Sequence, residues 1–312
     1  MLPLIIVNPR SASGSTREKW SGIASEIRTH FGPFNVAFTK APGDASNIAA
    51  RAVENGRQFI ISCGGDGTIN EIANGILNSG GEAELGILPS GTGGDFRRSI
   101  NMPQETRAAA RALKLGSSKR IDIGKVTFKG HENEDISRYF INVSSVGLAA
   151  SIIERVKSTS YTNWLPVQNL KGKASFAIST LQEVIGIEPA AIKVRIDNDE
   201  ERSLNTINFC VANARYFGGG MMIAPDAKLD DGYFDVINIG DIGTLKILLN
   251  ALSLYRGTHI SLPEVKSRRA KRIEIRNSSD VPLHLETDGE LPGKLPAIYE
   301  IIPKALKVRV PV

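Results

Sequence analysis

Ser62-Cys63-Gly64-Gly65-Asp66-Gly67-Thr68-Ile69-Asn70-Glu71 is the stretch on which the reading of the chain turns. Just upstream, Gln58-Phe59-Ile60-Ile61 has the apolar character of a short buried strand. Just downstream, Ile69, Ile72, Ala73, Ile76 and Leu77 recur at helical spacing, so the chain runs strand, glycine turn, helix. Gly64, Gly65 and Gly67 leave backbone N–H groups uncovered and permit positive φ, so an anion can approach the main chain closely. The helix adds the positive end of its dipole, and Thr68 can cap it or donate to a phosphate oxygen. Asp66 is the discordant residue. A carboxylate in a phosphate cradle repels the ligand unless a divalent cation intervenes or the carboxylate has its own hydrogen-bonding task. The stretch therefore points to a metal–nucleotide site. The plainer alternative is a tight turn in which Asp66 or Thr68 caps the helix. Neither GxxxxGK[ST] nor GxGxxG occurs in the chain, so nucleotide would be held by another route.

Around this stretch the same alternation repeats. Residues 4–7 read as a buried strand, followed by a small polar loop over 8–15 and a helix over 17–30. Residues 35–39 form a second strand, with a helix from 44 to 54; residues 85–88 form a fourth, ending in the glycine-rich 91–95. Alternating strands and helices predict a parallel α/β sheet, and the loops at 8–15, 39–44, 64–68 and 91–95 then converge on one edge. Beyond Arg120 the pattern changes. Strands are expected at 121–126, 140–143, 192–196, 207–211, 234–239, 271–275 and 283–285, with helices only at 173–185 and 244–255. We therefore expect a nucleotide-binding domain over 1–120 and a mostly antiparallel sandwich or barrel over 121–312, with 307–310 a terminal strand that could join either.

Composition sets the outer bounds. With 312 residues, 41% hydrophobic and 23% charged, the chain suits two ordinary globular domains. A net charge of +5 fits an anionic partner such as nucleotide, nucleic acid or an acidic lipid surface. Aromatic content of 6% and the lack of a recognisable module argue against nucleic acid. Cys63 and Cys210 are the only cysteines, each in an apolar run, which predicts no disulfide framework and a reducing compartment. Residues 2–7 are too short for a signal-peptide core, and no window approaches 18 uninterrupted apolar residues, so the expected location is cytoplasmic. His30, His131, His259 and His284 lack metal-ligand spacing and read as surface or packing positions.

Several further motifs recur in order: Asn8-Pro9 with Ser13-Gly14, then Gly64-Gly65-Asp66-Gly67-Thr68 with Asn70-Glu71, then Pro89-Ser90-Gly91-Thr92 with Asp95-Phe96. Later come Asn213 with Tyr216, Gly218-Gly219-Gly220-Met221, Ala224-Pro225, Asp230-Asp231-Gly232 and Thr287-Asp288-Gly289-Glu290. Through these, nearly the whole chain resembles the diacylglycerol-kinase-catalytic family of lipid kinases, which includes bacterial diacylglycerol kinases and sphingosine and ceramide kinases. Gly-Gly-Asp-Gly-Thr alone also occurs in NAD kinases and, ending in Ser, in phosphofructokinases; the last two motifs exclude those relatives while implying the same kind of first domain. Two departures stand out: Arg10-Ser11-Ala12-Ser13 lengthens the opening loop, and Gly94 replaces the Asn that commonly precedes Asp95.

The resemblance implies an ATP- and Mg²⁺-dependent kinase for a membrane lipid alcohol, with diacylglycerol the default acceptor. Another lipid alcohol, a soluble NAD-kinase-like acceptor and a non-enzymatic regulator are the alternatives. It places ATP along Asn8, Pro9, Arg10, Ser11, Ala12, Thr39, Gly65, Asp66, Gly67, Thr68, Ile69, Asn70, Glu71 and Thr92. Phosphoryl transfer needs a base at the acceptor hydroxyl. The resemblance assigns it to the Asp288-Gly289-Glu290 turn; we favour Glu290 as the base, with Asp288 directed at metal or nucleotide. It also implies a structural Mg²⁺ held by the Asp231 carboxylate and the Lys228 and Tyr233 carbonyls, an oxygen-only set that suits this ion. A hairpin with an Asp-Gly turn fits the same residues. The run Lys266-Ser267-Arg268-Arg269-Ala270-Lys271-Arg272 carries five cations and is expected to aid peripheral docking on an anionic membrane, each adding on the order of 1 kcal/mol. A homodimer is left open.

Overall fold

The computed structural model describes residues 2–91, 93–158, 188–279 and 281–312; the helix expected at 173–185 lies outside the described residues. The first half holds β1 (Leu4–Val7), β2 (Asn35–Phe38), β3 (Phe59–Gly64) and β4 (Glu84–Pro89), parallel in the order β2-β1-β3-β4. The first, third and fourth of these are largely apolar because they are buried at their centres, with Ile5, Ile6, Ile60, Ile61 and Ile87 inaccessible to solvent. Helix α1 (Ser15–Phe31) packs on the later α5 (Thr106–Leu115), and α2 (Asp44–Glu54) packs on α3 (Asp66–Asn78). Gly75 in α3 permits that second contact, since a Cβ there would lie 2.3 Å from the Ser46 carbonyl oxygen. A short helix, α4 (Asp95–Ser99), follows the loop after β4; neither it nor α5 is among the expected helices, although Ala109, Ala110 and Leu113 of α5 recur at helical spacing.

The second half is antiparallel. It contains β5 (Ser117–Lys129), β6 (Asp135–Phe140), β7 (Val143–Gly147), α6 (Leu148–Ser158), β8 (Ala190–Ile196), β9 (Arg202–Thr206), β10 (Asn208–Ala212) and β11 (Phe234–Ile239). Then follow α7 (Thr244–Leu249), α8 (Ala251–Arg256), β12 (Val265–Ala270), β13 (Arg272–Asn277), β14 (His284–Thr287) and β15 (Glu290–Val310). One ladder runs β12-β11-β10-β7-β14-β15; a second runs β9-β8-β13 and joins the first at β15. Between them lies a core of Phe128, Phe140, Phe209, Phe234 and Tyr299, in which Phe140 stacks on Phe234 at 5.6 Å between ring centroids. β15 is 21 residues long and pairs with β5 along most of its length, then ends parallel to β4 through Lys307↔Glu84 and Val308↔Leu85. The strands of both halves therefore belong to one hydrogen-bonded network.

Three sequence expectations are corrected. The strand at 140–143 is two strands that break at Ile141-Asn142, because the N–H groups of residues 141–143 turn to the Asp288 carboxylate. The helix at 244–255 is interrupted at Asn250, whose side-chain amide donates to the Lys246 carbonyl at 2.8 Å. The basic run is β12 leading into β13, and three of its cations are already in ion pairs: Arg268 with Asp199, Arg269 with Asp231, and Arg272 with Glu274 and Glu300.

Candidate active site

The carboxyl ends of β1, β3 and β4 deliver three loops to one place, and side chains lock them together. Asn8 Nδ2 donates to Thr68 Oγ1 at 3.0 Å, while Asn8 Oδ1 accepts from the Arg10 N–H. Thr16 Oγ1 lies 2.6 Å from Ser11 Oγ and 2.5 Å from Ser90 Oγ, joining the first loop to the third. Gly65 and Gly91 meet back to back: a Cβ on Gly91 would stand 2.5 Å from Gly65 Cα. Overpacking of this kind costs about 1–3 kcal/mol. Gly91→Ala is therefore expected to lower nucleotide affinity about tenfold or more; titration calorimetry checks this, and an unchanged Kd would mean the cradle yields freely.

Asp66 opens α3 yet caps a different helix. Its Oδ2 accepts from the Gly94 N–H at 2.7 Å and its Oδ1 from the Phe96 N–H at 3.2 Å, at the start of α4. Helix α3 itself starts at Gly65 without a side-chain cap. Of the tasks left open for Asp66, the hydrogen-bonding one is realised, which corrects the simple-turn alternative. Asp95, next in line, accepts from the Gly219 N–H at 2.8 Å and pairs with Arg98 at 3.1 Å; burial pushes its carboxyl above the usual range. Through it the loops of the first half touch the Gly218-Gly219-Gly220 loop of the second.

These loops and the β14–β15 turn enclose a cleft of about 520 Å³, within the range of small-molecule sites. Asn8, Arg10, Ser11, Ala12, Thr39, Gly65, Asp66, Gly67, Thr68 and Glu71 line it, as does Glu290 of the β14–β15 turn. Of the remaining residues expected at nucleotide, Pro9 is not part of the lining, Ile69 is buried and lines only the adjoining cavity, and Asn70 is turned toward Asp288. Thr92 lies outside the described residues. An adjoining cavity of about 190 Å³ shares Gly65, Asp66 and Gly91 and adds Lys19 and Arg97. Those two cations, carried on the helices that follow their loops, escaped the sequence reading, as did Lys40, although it lies within the 39–44 loop already placed at this edge.

The two carboxylates of the Asp-Gly-Glu turn have opposite surroundings. Asp288 is half-buried, in left-handed backbone at φ 48°, and both its oxygens are taken. Oδ1 accepts from Asn142 N at 2.9 Å and Val143 N at 3.1 Å; Oδ2 accepts from Asn70 Nδ2 at 2.7 Å and Ile141 N at 2.8 Å. Burial pushes it up to about 6 despite those donors. The expectation that Asp288 is directed at metal or nucleotide is thus corrected: it clasps α3 to the β6–β7 junction. Glu290 is half exposed and held from one side by Arg138 Nη1, 2.8 Å from Oε2.

Glu286, beside the Asp-Gly-Glu turn, is a buried acid whose task the sequence concealed, since one acid in a short strand carries no signal. It is fully buried, accepting from the Gly289 N–H at 2.6 Å and from Ser145 Oγ at 2.8 Å, and burial pushes it up to about 8. The folded protein therefore keeps a proton that the unfolded chain releases from its usual value of 4.5 upward. The stability this lends is fully present below 4.5 and is lost as pH rises through 8. Glu286→Gln keeps an acceptor for Gly289 and is expected to flatten the decline. Between about pH 6 and about pH 8.5 the wild-type Tm should fall roughly 5 °C further than the variant's; equal slopes in thermal melts would remove Glu286 as the source.

The residues expected to hold a structural Mg²⁺ are differently engaged. Asp231 Oδ2 lies 2.5 Å from Arg269 Nη2 and Oδ1 accepts from the Tyr233 N–H, with the Arg269 guanidinium 4.4 Å over the Tyr233 ring. Burial, Asp231 and Asp226 push the neighbouring Asp235 up to about 6. Among the described residues no three His, Cys, Asp or Glu side chains gather around a metal position. As arranged, Lys228, Asp231 and Tyr233 do not fit a divalent cation, because the one carboxylate is committed to Arg269. His259 is buried against the Ile223 carbonyl, a packing role. No helix of the described residues is long and apolar enough to cross a membrane.

Comparison with known proteins matches this architecture in order. Residues 3–126 match the diacylglycerol kinase catalytic domain, and residues 143–310 match the YegS C-terminal NAD kinase beta sandwich-like domain. A diacylglycerol kinase of Staphylococcus saprophyticus is 29% identical across 98% of this chain and 94% of its own. One of Staphylococcus epidermidis is 30% identical across 88% and 80%. The crystal structure of a diacylglycerol kinase from Bacillus anthracis shares the fold, with a TM-score of 0.71 at 21% identity over 99% of this chain and 96% of that one. With both of its domains matched, this chain belongs to the diacylglycerol kinase catalytic-domain family of lipid kinases.

Proposed function

We propose that the protein transfers the γ-phosphoryl group of ATP to the hydroxyl of a membrane lipid alcohol, with diacylglycerol as acceptor and phosphatidic acid as product. The observation that carries this reading is that Glu290 lines the same cleft as the Gly65–Thr68 turn. Backbone N–H groups and the N-terminus of α3 hold the phosphates, and Arg10 and Lys40 bring positive charge to the same cleft. Glu290 takes the proton from the acceptor hydroxyl; the acceptor oxygen bonds to the γ-phosphorus, and the bond to the β–γ bridging oxygen breaks, releasing ADP. Arg138 orients Glu290, while Asp66 and Asp288 position the loops that flank the phosphates. Mg²⁺ arriving with ATP would neutralise charge on the phosphates; no step is assigned to the Asp231 position. The names of the staphylococcal relatives support diacylglycerol over other alcohols.

The test is transfer of labelled phosphate from ATP-Mg²⁺ to mixed micelles containing, in parallel, diacylglycerol, sphingosine, ceramide or phosphatidylglycerol, with NAD as a soluble control. Label on diacylglycerol, lost in Glu290→Gln, is the expected result. Label on NAD alone would overturn the lipid reading, and label on a different lipid would reassign the acceptor.

A further inference from the structure

Large apolar side chains left exposed are concentrated on one pair of short helices. Leu245, Leu249 and Leu252 are 70%, 75% and 67% exposed, and Leu248 and Tyr255 are also open. The five recur at helical spacing along α7 and α8. Such spacing ordinarily marks the face a helix turns to its core. Here Leu254 takes that part, packed on the cluster of Ile223, Ile237 and Val265, and the stripe points outward. A contiguous apolar patch of this kind marks an interaction surface.

We propose that this stripe is the surface by which the protein enters the headgroup boundary of an anionic bilayer; the inference rests on the reading of the acceptor as a membrane lipid. Charge selects the occupant. Residues 244–272 hold seven Lys or Arg against one acid, Glu264; with Lys246, Arg268, Arg269 and Arg272 paired to acids of the fold, the surplus rests on Arg256, Lys266 and Lys271. Arg256 ends α8 beside Tyr255, and Lys246 of α7 reaches Glu264 at 2.5 Å. A second copy docking through the same face would set like charges together, because a two-fold contact places a patch on itself. An anionic surface accepts the apolar side chains and attracts the cations at once. The basic run of β12–β13 is secondary, since Arg268, Arg269 and Arg272 are paired within the fold. The helix pair is also fastened to the cleft. Met222 N donates to the Leu254 carbonyl at 2.7 Å, and nearby Gly219 N donates to Asp95 at the start of the helix that Asp66 caps.

The test compares wild type with the triple variant Leu245→Ser, Leu249→Ser, Leu252→Ser. It uses sedimentation with vesicles of phosphatidylcholine alone and of phosphatidylcholine with phosphatidylglycerol. We expect anionic vesicles to bind wild type at least tenfold more tightly than neutral ones, and the variant to lose at least tenfold of that affinity. Its melting temperature and its phosphate transfer to a short-chain, water-dispersed diacylglycerol should stay unchanged. Vesicle binding within twofold of wild type would overturn the assignment, as would a wild-type dimer that the variant splits while vesicle binding persists. If no acceptor is phosphorylated by wild type, yet the variant loses vesicle binding, the kinase reading fails and the docking surface stands.

Discussion

Glu290→Gln is expected to lower kcat for phosphate transfer by about 10²- to 10⁴-fold, the range for a lost general base. The amide keeps the shape of the side chain and a contact to Arg138 but cannot take a proton. Nucleotide binding should change little, because the substitution leaves the loops at Asn8–Ala12 and Gly65–Thr68 untouched. Stability should hardly move either: the Arg138 pair is about half exposed, and such pairs contribute about 0–1 kcal/mol. Initial rates at saturating ATP, with KM for both substrates, check this. A variant that keeps kcat and raises only the KM of the acceptor would make Glu290 a binding residue and leave the base to be found elsewhere.

Asp288→Ala is expected to act on stability, which separates the two acids of the turn. Removing the carboxylate strands the Asn70 amide and the N–H groups of Ile141, Asn142 and Val143 in a half-buried site. Each unmatched donor costs about 1–3 kcal/mol. Relief from burying a carboxylate offsets part of that, and a net loss of about 3–5 kcal/mol is expected, comparable to breaking a buried pair. Urea unfolding measures it. Asp288→Asn, which retains one acceptor oxygen, should fall between the two and serves if the alanine variant does not accumulate. A stable Asp288→Ala protein with no turnover would instead identify Asp288 as the base.

What the sequence made legible was whatever lies close together along it. The strand, glycine turn and helix around Asp66 are consecutive, and four loops after parallel strands must share an edge, so the cleft could be placed from pattern alone. The tasks of the acids could not. Asp66 is satisfied by main-chain donors 28 and 30 residues away, and Asp288 by Asn70 at a separation of 218. Main-chain N–H groups leave no trace in residue identity. The break at Ile141-Asn142 is likewise dictated from a distance, in a stretch that reads as continuous strand. The stripe on α7 and α8 shows the converse failure: its spacing is plain in the sequence, but spacing cannot say which way a face looks.

The long strand β15 has a consequence for how this protein comes to exist. Chains are made from one end, and β4 emerges early with one neighbour, β3, already available. Its other partner arrives only with residues 307 and 308, and the Glu84–Arg309 ion pair closes across 225 positions. Until then the growing polypeptide carries an open sheet edge of the kind that recruits other chains. Completion of the first half must await synthesis of the second, so a ribosome that stalls anywhere between them leaves that edge of β4 open.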